Sequence, residues 1–232
     1  MKNILKFLFV FLLSYNMFPQ SGSIIYNIQI GVDLTEVPND KVEFITQMVK
    51  NAQKQQFELA FNKFKSSFKI IEKLGSLTEY EAKMQNIASA AFTTSSDIYI
   101  DYERKIEVNK SKEGVLVENS LDTNKWEIST ESKKIENYIC YKAIKKIPFT
   151  DRKGQSKVKE VLAWFAPSLP YSYGPKNFYG LPGLILELIE NRATYLATFI
   201  NLKNQQINID FPKGKTITKA AYEKGLKAQM GI

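Results

Sequence analysis

The stretch Gly180-Leu181-Pro182-Gly183-Leu184-Ile185-Leu186-Glu187-Leu188-Ile189 decides how we interpret the fold. Its opening residues predict a tight turn, because proline presets φ at the second turn position and glycine accepts the positive φ that a type II turn requires next. The run that follows is apolar at nearly every position, which is typical of a strand buried on both faces. We therefore predict a turn at Pro182-Gly183 that leads into a buried strand over residues 184–189.

Alternation of apolar and polar residues, the pattern of a half-buried strand, recurs on both sides of this stretch. Short polar connections join most of the predicted strands. Neighbours are therefore expected to pair antiparallel in a β-meander, since a parallel crossover needs about a dozen residues or more. The predicted strands cover residues 24–30, 57–61, 68–72, 98–102, 105–108, 115–117, 126–130, 138–144, 158–166, 184–189 and 195–202.

Helical spacing of apolar residues is found near both ends of the chain. After the turn residues Pro38-Asn39-Asp40, this spacing predicts a helix over residues 41–54. Near the other end, Thr218 can cap a C-terminal helix of modest amphipathicity. Residues 75–96 show no clear period and predict a loop, with a short helix near residues 77–87 as the alternative.

These patterns predict an α+β fold that is mainly antiparallel β, a curved β-meander sheet with an N-terminal helix and a short C-terminal helix. Several strands are apolar on both faces, so one covered face cannot bury them all. Either the helices and the curvature of the sheet fill the core, or the concave side of a half-barrel forms an apolar groove for a ligand. The length suits one domain, which we place at residues 23–232.

The N-terminus has the layout of a secretory signal peptide. Lys2 and Lys6 accompany an apolar run over residues 7–13 that is too short to cross a bilayer. We predict a cleaved signal peptide over residues 1–22, with the cut position left open, and hence a protein exported to the periplasm or outer membrane, or secreted. No cysteine follows the apolar run, which excludes lipid attachment there.

The composition limits which partners, catalytic residues and metal sites the protein can have. The formal net charge is +8, but export argues against nucleic acid and leaves anionic envelope surfaces, or no specific partner. The chain has no histidine and no phosphate-loop, dinucleotide or zinc motif, so we predict no catalytic residue, metal or cofactor. Its single cysteine, Cys140, is expected to be a small buried hydrophobe, with a reactive thiol as the alternative.

Two acidic positions are candidates for chemistry. Asp101 and Glu103 would share one face of a strand, but the basic residues that follow favour a solvated charge cluster. Glu187 is the stronger candidate, because alternation places it on one face with Ile185 and Ile189. If that face is buried, Glu187 needs a partner such as Arg192 or a tyrosine hydroxyl; if it borders a groove, it can meet a ligand; otherwise it is solvated.

Aromatic residues gather around the same stretch. They can pack around the Gly-Pro turn, which we favour, or line a pocket or a partner surface. They are Trp164, Phe165, Tyr171, Tyr173, Phe178 and Tyr179.

The segment over residues 158–202 resembles the GLPGLI family, which takes its name from the hexapeptide Gly180, Leu181, Pro182, Gly183, Leu184 and Ile185. The residues before it, including Ala163-Trp164 and Gly174-Pro175, follow the order of the family, and Tyr138–Ala143 is similar to its Cys-bearing strand. The resemblance implies an exported protein of Bacteroidetes-type bacteria whose biochemical role is not established. It brings no catalytic residue, cofactor or substrate.

We expect an exported cell-envelope protein that acts by binding. The first hypothesis is a non-catalytic binding or carrier module for a hydrophobic or envelope-derived ligand, held near Trp164, Tyr179, Leu184 and Glu187. The alternative is a structural or partner-binding protein that accompanies an outer-membrane system, with the aromatic cluster exposed. An enzyme that uses only carboxylates, tyrosines and lysines is the third hypothesis.

Overall fold

The computed structural model of the chain describes residues 21–72, 75, 78–121, 125–151 and 154–230. The predicted signal peptide lies outside these residues except for Ser21 and Gly22, which begin the first strand. Ser21 is fully buried, and its hydroxyl donates to the carbonyl oxygen of Gln205 and accepts from the amide of Ile207 at 3.2 Å. Residue 23, the predicted start of the domain, thus lies inside a strand.

The described residues form twelve strands, three α-helices and two short 3-10 helices, at Leu34–Glu36 and Asn39–Lys41. The helices are α1 (Val42–Gln53), α2 (Glu79–Phe92) and α3 (Lys219–Met230). The strands are β1 (Ser21–Ile30), β2 (Gln56–Asn62), β3 (Lys65–Ile70), β4 (Asp97–Asp101), β5 (Ile106–Lys110), β6 (Leu116–Ser120), β7 (Glu127–Ile135), β8 (Tyr138–Thr150), β9 (Ser156–Ala166), β10 (Leu184–Glu190), β11 (Ala193–Lys203) and β12 (Thr216–Thr218).

All twelve strands belong to one open, curved sheet, which confirms the predicted α+β class. The spatial order is β12-β6-β5-β4-β3-β2-β1-β11-β10-β9-β8-β7, and every pair is antiparallel except β12 with β6. The sheet is therefore not the single meander that short connections suggested. Two meanders, β1–β6 and β7–β11, are joined side by side where β1 pairs with β11.

The main core lies on the concave face of the sheet. Residues 167–183, between β9 and β10, cross this face and contact both meanders. Tyr102, which follows β4, donates a hydrogen bond to the carbonyl oxygen of Ser172 at 2.8 Å, and Trp126, which precedes β7, donates to that of Tyr179 at 2.9 Å. Tyr173 and Leu181 of this segment are buried in one core cluster with side chains from the strands, among them Tyr26, Phe57, Phe61, Phe68 and Tyr195.

The turn before β10 differs from the predicted type II turn. The amide of Gly183 donates to the carbonyl oxygen of Leu181 at 2.8 Å, which closes a three-residue turn around Pro182. Gly183 has φ 157°, and a Cβ there would lie 2.3 Å from the carbonyl oxygen of Ala166. A side chain is thus excluded at Gly183 by the neighbouring backbone of β9.

The predicted loop over residues 75–96 contains the 14-residue helix α2. Thr78 and Glu81 form a capping box: the hydroxyl of Thr78 accepts from the amide of Glu81 at 3.2 Å, and the carboxylate of Glu81 accepts from the amide of Thr78 at 2.9 Å. The periodicity of this helix is weak because it packs mainly on α1 and buries few side chains. The predicted helices at the two ends are present as α1 and α3.

Candidate binding cavity

Two of the four residues predicted to bind a ligand, Trp164 and Glu187, face away from the main core. They pair across β9 and β10, whereas the adjacent pair, Ala163 and Leu188, is fully buried in the core. Because side chains alternate between the faces of a sheet, Trp164 and Glu187 lie on the outer face. Both are half-buried there.

Glu187 does not share a face with Ile185, contrary to the expectation from strand alternation. A β-bulge between these two residues adds one position, so that Ile185 is buried while Glu187 points outward. The Nζ of Lys133 in β7 lies 2.7 Å from the carboxylate of Glu187 and 4.4 Å from the centroid of the Trp164 ring. The partner of Glu187 is therefore this lysine and not Arg192 or a tyrosine.

The other two predicted residues lie elsewhere. Leu184 is fully buried at the start of β10. Tyr179 is 5% exposed, contacts Tyr102 edge-on with ring centroids 6.1 Å apart, and lines a cavity on the concave face. The structure thus does not bring the four residues into one site: Trp164 and Glu187 are neighbours on the outer face, and Tyr179 is on the inner one.

The aromatic cluster packs inside the protein, as the packing interpretation expected. Phe61 of β2 contacts the ring of Tyr171 at 4.8 Å between centroids, and Tyr102 stacks on Tyr173 at 5.0 Å. Trp164 remains half-buried. The five buried members are Phe165, Tyr171, Tyr173, Phe178 and Tyr179.

Asp101 and Glu103 do not form a solvated pair on one strand face. Strand β4 ends at Asp101, and Glu103 lies in the turn that follows. Asp101 is 1% exposed, accepts a hydrogen bond from the amide of Arg104 at 3.0 Å and lies 3.6 Å from the ammonium of Lys65. Its carboxylate therefore stabilises the turn after β4.

Cys140 is fully buried in β8, as predicted for a small hydrophobic residue. Burial raises the pKa of its thiol to about 11, although the ammonium of Lys133 opposes this shift. A thiol with a raised pKa carries little thiolate at neutral pH and is a poor nucleophile.

A cavity of about 750 Å³ remains on the concave face, beside the segment that crosses it. One wall belongs to β4, β5 and β6, the opposite wall to β8 and residues 176–179, and α3 covers it. The amide and charged side chains that line the two walls are Glu107, Asn109, Asn119, Lys145, Lys176 and Asn177.

Glu107 lies at the centre of the first wall. Strand pairing places it directly opposite Asn119, and Asn109 is two residues further along the same strand, so all three face the concave side. Glu107 is 6% exposed, and its Oε1 accepts a hydrogen bond from the side-chain amide of Asn109 at 2.8 Å. Burial raises the pKa of Glu107, although hydrogen bonds from Asn109, Asn119 and Asn177 oppose the shift.

The opposite wall carries a compensated charge cluster. Glu190 at the end of β10 is 8% exposed and bridges two lysines, Lys159 of β9 at 2.6 Å and Lys176 of the crossing segment. Burial raises the pKa of Glu190, but the two ammonium groups outweigh burial and hold it below its ordinary value. Lys145 of β8 also lines this wall, with its Nζ 5.7 Å from the centroid of the Phe178 ring.

Helix α3 supplies the third side of the cavity through Lys219, Tyr222 and Glu223. The hydroxyl of Thr218 accepts a hydrogen bond from the amide of Ala221 at 3.2 Å, so Thr218 caps this helix as predicted. Lys219 and Glu223 are one helical turn apart, with their charged groups separated by 3.9 Å. The ring of Tyr222 adds to the apolar part of the lining, to which Ile98 and Val117 also contribute.

Known proteins match this chain in part of its sequence and in its fold. The profile of a family described as "Protein of unknown function (Porph_ging)" matches residues 150–187. Two structures of PNGF-II, in space groups P21 and C2, are similar with TM-scores of 0.53 and 0.52 at 14% sequence identity. The similarity covers 88% of this chain but only 32% of the PNGF-II chain. No curated protein matches the chain.

The family match falls on a definite part of the structure. Residues 150–187 include β9, the segment that crosses the concave face, and half of β10. The match agrees with the expected membership of a family whose function is not established, and it does not carry the GLPGLI name. Because PNGF-II shares only 14% of its residues with this chain, that similarity concerns the fold alone.

The described ranges contain neither a cluster of metal-ligating side chains nor a helix that could span a membrane. Among residues 21–72, 75, 78–121, 125–151 and 154–230, no three His, Cys, Asp or Glu side chains are grouped to hold a metal ion. Across the same ranges, none of the helices combines the length and the apolar character that crossing a membrane requires.

Sequence reasoning missed the cavity. A signal exists in β5, where Glu107 and Asn109 alternate with the buried Val108, which shows that the polar residues face one side of the strand. In the sequence, this pattern is indistinguishable from that of a solvated strand face. The residues that enclose the cavity come from distant parts of the chain, namely β8, residues 176–179 and α3. Only the curvature of the sheet brings these distant parts together.

Proposed function

We propose that this protein is a non-catalytic binding module that holds a polar ligand in the concave cavity. The observation that carries the proposal is the set of amide and charged side chains that line a partly open cavity of about 750 Å³. Cavities of roughly 300–1,000 Å³ are typical of small-molecule sites. Side-chain amides offer both donors and acceptors, and the carboxyl group of Glu107 adds an acceptor, so the lining suits a ligand rich in hydrogen-bonding groups.

A polar ligand fits the cavity better than the hydrophobic one first expected. The apolar part of the concave face is occupied by the protein itself, since Tyr173, Phe178 and Leu181 of the crossing segment are buried against the strands. The space that remains is bordered by polar and apolar surface in similar amounts. An apolar ligand would desolvate the amides and charged groups there without replacing their hydrogen bonds. An envelope origin of the ligand remains part of the proposal and rests on the predicted signal peptide.

A partner-binding protein is the second candidate. The aromatic cluster that suggested it is buried, but the outer face of the sheet exposes Val158 and Phe199, which are 60% and 58% accessible. Both lie on the same face as Trp164, according to the strand register. Such scattered exposure is common on protein surfaces and favours this candidate less than the cavity favours a ligand.

Native mass spectrometry tests the proposal on protein purified without denaturants from the cells that make it. We expect an added mass that organic extraction removes. Asn119→Phe, which puts a bulky ring into the cavity, should abolish the added mass, and Val158→Phe on the outer face is the matched control that should keep it. A clean unliganded mass for the wild type, or an added mass that survives in Asn119→Phe, would overturn the proposal.

A further inference from the structure

The two walls of the cavity differ in their side chains, with amides on one and ion pairs on the other. This difference indicates the class of ligand. On the first wall, Asn109 and Asn119 present uncharged amide donors and acceptors beside the carboxyl group of Glu107, which Asn177 reaches from the opposite wall. On the second wall, Glu190 is paired with both Lys159 and Lys176, and the ammonium of Lys145 lies near the ring of Phe178. This inference rests on the proposed function, because it concerns the ligand of the same cavity.

The charges around the cavity are largely satisfied within the protein. Glu190 lies between Lys159 and Lys176, and Glu223 lies near Lys219. Burial shifts Glu107 toward its neutral form at a given pH, because it raises the pKa. A strongly charged ligand would have to compete with these existing pairs, whereas a neutral ligand leaves them intact.

Hydroxyl groups complement this lining best. A hydroxyl both donates one hydrogen bond and accepts others, and each asparagine side chain offers two N–H donors and a carbonyl acceptor. The amides of Asn109, Asn119 and Asn177 converge on the carboxyl group of Glu107 from both walls. Each asparagine has a second N–H and a carbonyl oxygen that can meet hydroxyl groups of a ligand beside that carboxyl. A ligand with adjacent hydroxyls can therefore bridge the walls.

Two tyrosines contribute aromatic surface to the cavity. Tyr179 and Tyr222 border the same cavity, one from the crossing segment and one from α3. Aromatic rings provide rigid apolar surface beside a polar tip. The C–H face of a sugar ring can pack on such a surface while its hydroxyl groups bind the amides.

We propose that the cavity binds a neutral saccharide unit, with its hydroxyl groups on Glu107, Asn109, Asn119 and Asn177 and its C–H face toward Tyr179 or Tyr222. A free sugar and the sugar of a larger glycan share this chemistry. Sites built to hydrogen-bond hydroxyls discriminate strongly against analogues that lack them.

The experiment has two stages and uses the full chain. An array of immobilised neutral and acidic glycans is probed first, and calorimetry then measures the soluble monosaccharide and oligosaccharide of the best hit. We expect neutral glycans to bind, with the two soluble forms showing whether the site takes a single unit or an extended chain. Tetraethylene glycol, which lacks the ring of hydroxyls, should not bind.

Two matched variants locate the site. Asn119→Leu replaces the amide by two methyl groups in the same branched shape and should weaken binding at least tenfold, whereas Asn201→Leu, in β11 outside the cavity, should bind as the wild type does. Equal effects of the two variants, binding of acidic glycans alone, or no glycan binding would overturn the saccharide assignment. If the added mass in the native spectrum is still lost in Asn119→Phe, the proposed binding function survives that failure.

Discussion

The concave face of this sheet has two unlike regions, one filled by the protein and one left open. In the filled region, rings such as Tyr173 and Phe61 pack against each other with centroids 6.2 Å apart. In the open region, Glu107 is surrounded by asparagines and borders the cavity. Under the proposed function, stability and ligand binding depend on separate parts of one face, so substitutions should affect one property more than the other.

The largest loss of stability is expected from Gly183→Ala, at the end of the crossing segment where it meets β10. The new Cβ would lie 2.3 Å from the carbonyl oxygen of Ala166, so the crossing segment or β9 must shift. We expect a loss of about 4 kcal/mol or more in the free energy of unfolding, measured by chemical denaturation. Gly31→Ala is the control, because nothing lies within 4 Å of its Cβ position. Equal stabilities of the two variants would contradict this account of the turn.

Glu190→Gln should have the next largest effect, at the border between the two regions. It removes the negative charge that Lys159 and Lys176 share in a mostly buried place. We expect a loss of about 2 kcal/mol at neutral pH, since a buried charge is left without its partner.

The pH dependence of Glu190→Gln gives a second check. The pKa of Glu190 is lowered in the folded state, so its contribution is present above the ordinary carboxyl pKa and is lost as pH falls through the folded pKa. The stability difference between wild type and variant should therefore shrink on acidification. A difference that grows as the pH falls would contradict the ion-pair role.

A pair of tyrosine substitutions sharpens the description of the filled region. The hydroxyl of Tyr26 donates to the carbonyl oxygen of Ile185, so Tyr26→Phe should cost about 1 kcal/mol. The buried hydroxyl of Tyr195 makes no hydrogen bond within the described part of the chain, so Tyr195→Phe should be neutral or stabilise by up to about 1 kcal/mol. Thermal and chemical unfolding of both variants measure the contrast, and a larger loss for Tyr195→Phe would reverse it.

The smallest effect on stability is expected from Glu107→Gln in the open region. It should be visible mainly in how the free energy of unfolding depends on pH. Burial raises the pKa of Glu107 in the folded state, so the folded protein holds this proton more tightly than the unfolded chain does. Stability should fall as pH rises from the ordinary carboxyl pKa through the folded pKa, and Glu107→Gln should remove that fall. Chemical denaturation over a pH series measures it, and parallel curves for the two proteins would contradict the raised pKa.

Local patterns in the sequence predict much of the sheet. Alternation identifies β1 and β2, and the apolar run identifies β10, because these signals depend only on which side chains are buried. The position of Thr218 as a helix cap is likewise a local property. Helix α2 was predicted only as a short helix within a loop, because its weak periodicity concealed its full extent, although Thr78 and Glu81 carry a capping box.

The candidate site could not be predicted in the same way. The β-bulge after Ile185 reverses the direction expected for Glu187, and bulges depend on how neighbouring strands fit together. The cavity requires β5 and β6 to face β8 and α3 across a curved sheet, which no single stretch of sequence encodes. Of the four predicted ligand residues, only Tyr179 borders this space among the described lining residues.

The pairing of β1 with β11 also bears on how the chain folds. Ser21 lies opposite Lys203, so the central joint of the sheet connects residues from nearly opposite ends of the described chain. Contacts at such sequence separation are slow to form, because the entropy of closing the intervening loop must be overcome first. Hairpins such as β2–β3 can form while the chain is still being synthesised. We expect the edge of β1 that pairs with β11 to stay unpaired until β11 has been synthesised. During this interval the chain is most prone to aggregate.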